Sequence, residues 1–92
     1  MRVDRLLFFL RLAKSRSLAQ KMVEGGHIRI DGQRITQCKH SVAVGQVLTL
    51  VAHGHLRVIR LEQMPERRGP APEAASMICD IQPPQVIDAG RE

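Results

Sequence analysis

The sequence predicts an α+β fold in which two short N-terminal helices pack on a small, curved, mostly antiparallel sheet. Two observations predict the helices: an amphipathic spacing over residues 2–12, and an apolar stripe that begins after Ser15 and ends at Gly25-Gly26. A third observation predicts the sheet. Asp31-Gly32 separates two segments of alternating polarity, and this dipeptide is typical of a type I′ hairpin turn.

The first helix is expected over residues 2–12. Its apolar side chains follow the i, i+3, i+4, i+7 spacing of one helix face, at Val3, Leu6, Leu7 and Leu10. Asp4 falls in the first turn, where the partial positive charge of the helix N-terminus favours an acid. The pattern therefore predicts a helix whose apolar face is buried.

The second helix begins at one of two serines. The side-chain oxygen of Ser15 can cap the first turn, and Ser17 is a competing cap, so the start is open by two residues. Gly25-Gly26 ends the helix because glycine accepts the left-handed backbone that closes a helix. The link between the helices is so short that they must pack side by side or at a steep angle.

Four strands are expected, at residues 27–30, 33–36, 47–51 and 55–61. Asp31-Gly32 joins the first two strands, and His53-Gly54 joins the last two. Residues 37–46 form the loop between the two pairs. The third strand is a short apolar run rich in β-branched residues, so we expect it to be buried.

Composition changes at about residue 64, where proline and charged residues become frequent. We therefore expect a folded domain over residues 1–64 and a Pro-rich extension over residues 65–92. Within the extension, residues 73–77 are expected to form one or two helical turns after Pro72. From Gln82 onward the chain is expected to be extended or disordered.

The charge is unevenly distributed along the 92 residues. Residues 1–62 carry eleven Lys and Arg against four Asp and Glu, whereas residues 63–92 carry three against five. A basic body of this kind suits a polyanionic partner, although a soluble domain can also be basic without binding one. The chain has two Phe and neither Tyr nor Trp, so charge and shape, rather than aromatic stacking, would dominate nucleic-acid binding.

Several classes of site are disfavoured. Cys38 and Cys79 lack the spacing of a disulfide scaffold or a metal site, and His53-Gly54-His55 offers only two of the three or four ligands that zinc requires. Neither a metal nor another cofactor is expected. The N-terminus resembles neither a signal peptide nor a membrane span, so we expect a cytoplasmic protein with reduced thiols and no membrane partner. No nucleophile and base are arranged for catalysis, so we expect no enzymatic activity.

The candidate binding residues surround the start of the second helix. Arg11, Lys14 and Arg16 lie beside backbone N–H groups that can bind a phosphate, and Arg can contact phosphate oxygens through two donors. Lys21, Arg29 and Arg34 extend the basic set along the helix and the hairpin. Any one of these residues is more simply explained as a solvated surface charge, but the set as a whole favours binding because few acids lie among them.

These residues also carry a resemblance to a known family. Arg2-Val3-Asp4-Arg5-Leu6, Lys14-Ser15-Arg16, Gly25-Gly26 and Ile28-Arg29-Ile30-Asp31-Gly32, followed by Val44-Gly45, closely resemble the S4-type RNA-binding domain over about residues 2–50. The overall architecture, with Glu66-Arg67-Arg68-Gly69, looks most like the bacterial fifteen-kilodalton heat-shock protein family. Two departures are Asp31, where Asn is usual, and Gln46, where Asp is usual.

The resemblance implies an α-L, S4-like fold that binds ribosomal RNA. The implied role is attachment to the large ribosomal subunit and rescue of stalled translation during stress. The residues that match the family's binding positions are Arg2, Arg11, Lys14, Ser15 and Arg16. The alternative is an adaptor that binds tRNA or another structured RNA and recruits a protein through its C-terminal tail. A monomer is expected for a domain this small and charged.

Overall fold

The computed structural model describes residues 1–82 together with Gln85–Val86. The helices are α1 (Val3–Phe9), α2 (Arg16–Glu24) and α3 (Ala71–Ala75). The strands are β1 (Ile28–Ile30), β2 (Gln33–Ile35), β3 (Val47–Ala52), β4 (His55–Leu61), β5 (Ile78–Asp80) and β6 (Gln85–Val86). All described pairings are antiparallel, in the order β2-β1-β3-β4-β5, and β6 also pairs with β4. The predicted α+β class is confirmed.

Helix α1 is shorter than the predicted segment 2–12. It ends after seven residues, and Arg11 then takes a left-handed conformation with φ of 61°. The N–H groups of Leu12 and Ala13 both donate to the Leu7 carbonyl oxygen, at 2.9 and 3.2 Å, which forms a tight turn. Leu12 and Ala13 are buried. The apolar pattern therefore continues past the helix because the turn also faces the core.

Helix α2 begins and ends where the sequence predicts. Ser15 is the N-cap, and its Oγ accepts a hydrogen bond from the Leu18 N–H at 3.1 Å. The competing cap, Ser17, lies inside the helix. Gly26, with φ of 77°, turns the chain towards β1.

The Asp31-Gly32 hairpin forms as predicted, with φ of 51° and 83° at its two central residues, as a type I′ turn requires. The Asp31 carboxylate also accepts hydrogen bonds from the Val47 N–H at 3.0 Å and from the Gln46 side-chain amide at 3.3 Å. Two of the departures from the family pattern, Asp31 and Gln46, therefore contact each other. An amide faces a carboxylate at this contact, so the negative charge of Asp31 has a hydrogen-bond donor opposite it.

The core lies between the helices and one face of the sheet and is aliphatic. Helices α1 and α2 contribute Val3, Leu6, Leu7, Ala19 and Val23. The sheet contributes Ile28, Ile30, Ile35, Leu48, Leu50, Ala52, Ile59 and Leu61. Within each strand these residues alternate with more exposed ones, so one face of the pleated sheet is buried against the helices.

Part of the C-terminal extension packs on the rest of the fold. Helix α3 begins slightly earlier than the predicted residues 73–77 and carries Pro72 in its first turn. Strand β5, which the sequence analysis did not predict, pairs with the end of β4. The expectation that the chain from Gln82 onward is extended or disordered falls largely on residues 83–84 and 87–92, which lie outside the described residues.

Arg68 anchors this extension to the turn after α1. Its guanidinium lies 4.3 Å from the centre of the Phe8 ring and donates hydrogen bonds to the carbonyl oxygens of Phe8 and Ala13, the latter at 3.1 Å. One residue later, the Gly69 carbonyl oxygen accepts a bond from Arg11 Nε at 2.7 Å. The Phe8 carbonyl oxygen also accepts from the Arg11 N–H at 3.1 Å, so Arg68 adds a second bond there and ties the extension to the turn.

We expect Arg68→Ala to lower the free energy of unfolding by about 1.5–3 kcal/mol, because charge-assisted bonds to two carbonyl oxygens are lost. The adjacent Arg67 is the matched control, since it only forms an exposed ion pair with Glu73. Arg67→Ala should therefore change stability by about 0.5 kcal/mol or less. Urea unfolding followed by circular dichroism measures both variants, and equal losses would contradict an anchoring role for Arg68.

Candidate nucleic-acid interface

The contacts in the structure divide the eight predicted side chains into groups. Arg2 and Arg16 meet at a buried carboxylate, Lys14 and Lys21 line one groove, and Arg29 and Arg34 face each other across the hairpin. Ser15 caps α2 between the first two groups, and Arg11 lies apart, against the C-terminal extension.

Asp4 is fully buried and organises the first group. Its carboxylate accepts hydrogen bonds from the Arg2 guanidinium at 3.2 Å, from the Arg5 N–H at 2.8 Å and from the Gln20 amide at 3.3 Å. Arg16 Nη2 lies 3.8 Å from the same carboxylate. The side chains of Arg2 and Arg16 stay 52% and 45% exposed. One buried acid thus holds two guanidinium groups that remain accessible to an anion.

The protonation of Asp4 depends on these donors. Burial on its own raises the pKa of the Asp4 carboxyl, but hydrogen bonds from Gln20, from the Arg5 N–H and from Arg2 outweigh burial and hold the pKa below its usual 3.8. The group is therefore ionised at neutral pH. The sequence analysis placed Asp4 in the first turn without predicting that α1 and α2 meet at its carboxylate.

The second group lines a groove between α2 and the end of β3. The groove has a volume of about 540 Å³, and Lys14 and Lys21 lie along it with Leu18, Met22 and Val51. Neither lysine forms an ion pair with any residue that the structure describes. Both charges therefore remain available to a ligand.

The third group is on the hairpin. Arg29 and Arg34 are directly opposite each other in the β1–β2 pairing, and both are exposed. Like charges in opposite positions destabilise a hairpin, and among the described acids none forms an ion pair with either arginine. The stem of Arg34 passes the end of α2, since a Cβ placed on Gly26 would lie 3.2 Å from Arg34 Cδ. The hairpin charges thus adjoin helix α2.

Arg11 and Ser15 have structural partners. Arg11 donates to the Gly69 carbonyl oxygen, and its own carbonyl oxygen lies 3.1 Å from His53 Nε2. Ser15 uses its Oγ to cap the Leu18 N–H, which leaves the N–H groups of Arg16 and Ser17 at the open start of α2. Arg11 therefore positions the turn before α2, and Ser15 defines the helix start.

Gln20 is a site residue that the sequence analysis missed. It lies one helical turn after Arg16, and this i, i+4 spacing places both side chains on the side of α2 that meets Asp4. This spacing was the signal available in the sequence. It becomes informative only when the structure shows that Asp4, on α1, is buried against this side of α2.

The described residues also bear on metal binding and on membrane insertion. Among residues 1–82 and 85–86, no three His, Cys, Asp or Glu side chains converge as a metal site. In the same part of the chain, none of the helices has the length and apolar character needed to cross a membrane.

We expect Asp4→Asn to lower the free energy of unfolding by about 1–3 kcal/mol at neutral pH, because charge-assisted hydrogen bonds at a buried carboxylate are weakened. The unfolded carboxyl titrates near 3.8 and the folded one lower, so the unfolded state takes up the proton first as the pH falls. The stability from Asp4 is complete well above 3.8 and is lost below it.

The difference in free energy of unfolding between wild type and Asp4→Asn should therefore become smaller as the pH falls from about 6 to about 3. Urea unfolding at each pH measures this difference. Asp80→Asn is the control, because Asp80 forms a more exposed pair with Arg57 and should cost about 0.5 kcal/mol or less. A difference in free energy of unfolding that stays constant over this pH range would contradict the stabilising role of the ionised Asp4 carboxylate.

Comparison with known proteins identifies the domain. The S4 domain family model matches residues 1–48. Heat shock protein 15 of Escherichia coli K12 is 38% identical over 74 residues, which cover 80% of this chain and 55% of that protein. Small ribosomal subunit protein uS4 of Listeria welshimeri is 39% identical over 49 residues, which cover 53% of this chain and 24% of that protein. The chain thus spans about half the length of heat shock protein 15.

The structural comparison agrees with the sequence comparison. The structure of Vibrio cholerae heat shock protein 15, described as trimeric, superposes with a TM-score of 0.81 and 36% sequence identity. The match covers 87% of this chain and 80% of that one. The resemblance noted in the sequence is confirmed: the chain belongs to the S4 domain family of RNA-binding domains and is similar to heat shock protein 15.

Proposed function

We propose that this protein grips structured ribosomal RNA through phosphate and shape contacts, acts on the large ribosomal subunit, and takes part in rescue of stalled translation. The observation that carries the proposal is that Lys14 and Lys21 beside α2, and Arg29 and Arg34 on the hairpin, form no ion pair among the described residues. The similarity to small ribosomal subunit protein uS4 and the family resemblance carried by the sequence support the ribosomal role.

The pairing of charges differs between two parts of the fold. Arg57, Arg60 and Arg67 each pair with an acid, namely Asp80, Glu62 and Glu73. All three pairs involve β4 or the C-terminal extension. Among the described residues, the lysines beside α2 and the arginines of the hairpin have no such partner, so no ion pair neutralises their positive charge. An RNA backbone is expected to approach that side.

The phosphate contacts follow from the geometry around α2. Arg2 and Arg16 are held by Asp4 and stay half exposed, beside the open N–H groups at the helix start. Guanidinium groups held in advance lose less conformational freedom when they bind phosphate. With few aromatic side chains available, phosphate and shape readout is the mode that suits folded RNA.

The remaining parts of the proposal are a binding role rather than catalysis, a cytoplasmic location with the ribosomes, and a monomer as the RNA-binding unit. Each basic group described above comes from one copy of the chain. The related Vibrio cholerae protein is described as trimeric. We propose the monomeric state for this chain only, and not for the trimeric relative.

We expect the double variant Lys14→Ala/Arg16→Ala to bind a structured RNA with a shallower salt dependence. Each phosphate contact contributes a slope of about 0.7–0.9 in log affinity against log salt, so losing two should reduce the slope by roughly 1–2. The control is Arg60→Ala/Arg67→Ala, which removes the same charge from two paired arginines. Equal slopes for the two double variants would contradict the assigned face.

The ribosomal role has its own test. In a sucrose gradient at low salt, wild type should migrate with free large subunits, and Lys14→Ala/Arg16→Ala should stay at the top of the gradient. The Arg60→Ala/Arg67→Ala control should migrate as wild type does. Wild type that stays at the top would contradict the large-subunit role and direct the search to tRNA or another structured RNA.

A further inference from the structure

The groove between α2 and the end of β3 exposes apolar surface that the phosphate contacts leave unexplained. Leu18 and Val51 both line it and are 43% and 42% exposed, among the most exposed large hydrophobic side chains in the described part of the chain. Met22 lies with them in the groove. A phosphate bound to Lys14 or Lys21 gains nothing from aliphatic side chains, so these two lysines do not account for the groove.

We infer that this groove takes an unpaired nucleobase of the bound RNA, with Lys14 and Lys21 contacting the phosphates on either side of that nucleotide. This inference rests on the proposed function and names the part of the RNA that the site would recognise. Bulges and loops are where folded RNA offers single unstacked bases, and most sequence-specific RNA recognition uses them.

The charges around the groove favour a nucleotide. Its described lining contains two lysines and two histidines, His27 and His53, and no acid. The ring nitrogens of His27, and Nδ1 of His53, whose Nε2 lies against the Arg11 carbonyl oxygen, can serve as donors or acceptors for the polar edge of a base. An apolar peptide would also cover Leu18 and Val51, but it would leave the lysines without partners. A nucleotide satisfies both kinds of surface, because it has an apolar face and an adjacent phosphate.

The size and composition of the groove agree with this occupant. Its volume of about 540 Å³ lies within the roughly 300–1,000 Å³ of small-molecule sites. Phe8 and Phe9 do not line it, so the base would lie against aliphatic side chains. A base that leaves the RNA stack for this groove exchanges aromatic neighbours for Leu18, Met22 and Val51. The change of neighbours can be followed through the fluorescence of a base analogue such as 2-aminopurine.

The test compares the binding of two hairpin RNAs to the 92-residue chain at low salt. One carries a single unpaired 2-aminopurine nucleotide in its stem, and in the other the same nucleotide is paired with uracil. We expect the bulged RNA to bind about five- to tenfold more tightly, below the largest effects of aromatic stacking because the contacts are aliphatic. The fluorescence of the unpaired 2-aminopurine should rise on binding, because the base leaves its stacked neighbours.

Matched variants assign the effect to the groove. Leu18→Gln and Val51→Thr should remove most of the preference for the bulged RNA and the rise in fluorescence, and should leave the affinity for the paired RNA unchanged. Val44→Thr repeats the valine substitution at a residue that is 53% exposed and lies outside the groove lining, so it should behave as wild type. Thermal unfolding of each variant confirms that it is folded.

The outcomes separate the two proposals. If both RNAs bind equally and the fluorescence is unchanged, the nucleobase inference is overturned, the proposed function stands, and an apolar protein segment becomes the next candidate occupant. If Val44→Thr loses the preference as Val51→Thr does, the inference is also overturned. If wild type binds neither RNA, the proposed function itself fails.

Discussion

The buried carboxylate of Asp4 is the interaction on which the arrangement of the binding face depends. It joins the start of α1 to α2 through Gln20 and Arg16, and it fixes Arg2 at the N-terminus. The same segment is tied to the loop before β3, since Arg2 pairs with Ser41 in an isolated bridge. A buried, ionised acid is stable only when charged or polar donors surround it. Arg2 donates to Asp4 and Arg16 lies within ion-pair distance of it, and we propose that both arginines contact RNA.

Arg2 and Arg16 thus serve both stability and binding, whereas the other arginines divide between the two roles. Ion pairs around β4 and the extension involve Arg57, Arg60 and Arg67. Arg68 instead donates hydrogen bonds to backbone carbonyl oxygens. The cations beside α2 and on the hairpin are left unpaired among the described residues. Such charges repel one another in the free protein, and an anionic ligand relieves that repulsion.

Local signals predicted much of the fold. Helix α2 and the hairpin formed where expected, because their ends are determined by single residues. Ser15 caps α2 through its side chain, and the glycines of Gly25-Gly26 and Asp31-Gly32 allow the backbone to turn. The end of α1 was not predictable, because the left-handed turn at Arg11 is stabilised by contacts with His53 and Gly69, far away in sequence.

The site was predicted as a set of residues but not as an arrangement. Charge and spacing selected the basic side chains, and their binding of RNA stays a prediction. The sequence did not reveal that Asp4 joins Arg2 to Arg16, or that Arg68 anchors the extension, since both depend on tertiary packing. Strand β5 was missed for a similar reason: three residues carry no clear period, and pairing with β4 defines them.

The central claim is that RNA approaches α2 and the β1–β2 hairpin, and mapping amide chemical shifts on adding a structured RNA tests it most directly. The account predicts that the largest shifts fall on residues 14–21 and 29–34, with the amides of Arg16 and Ser17 among them. The account would be contradicted if the largest shifts fell on β5, α3 and the end of β4 that pairs with β5, while the amides of α2 stayed unchanged.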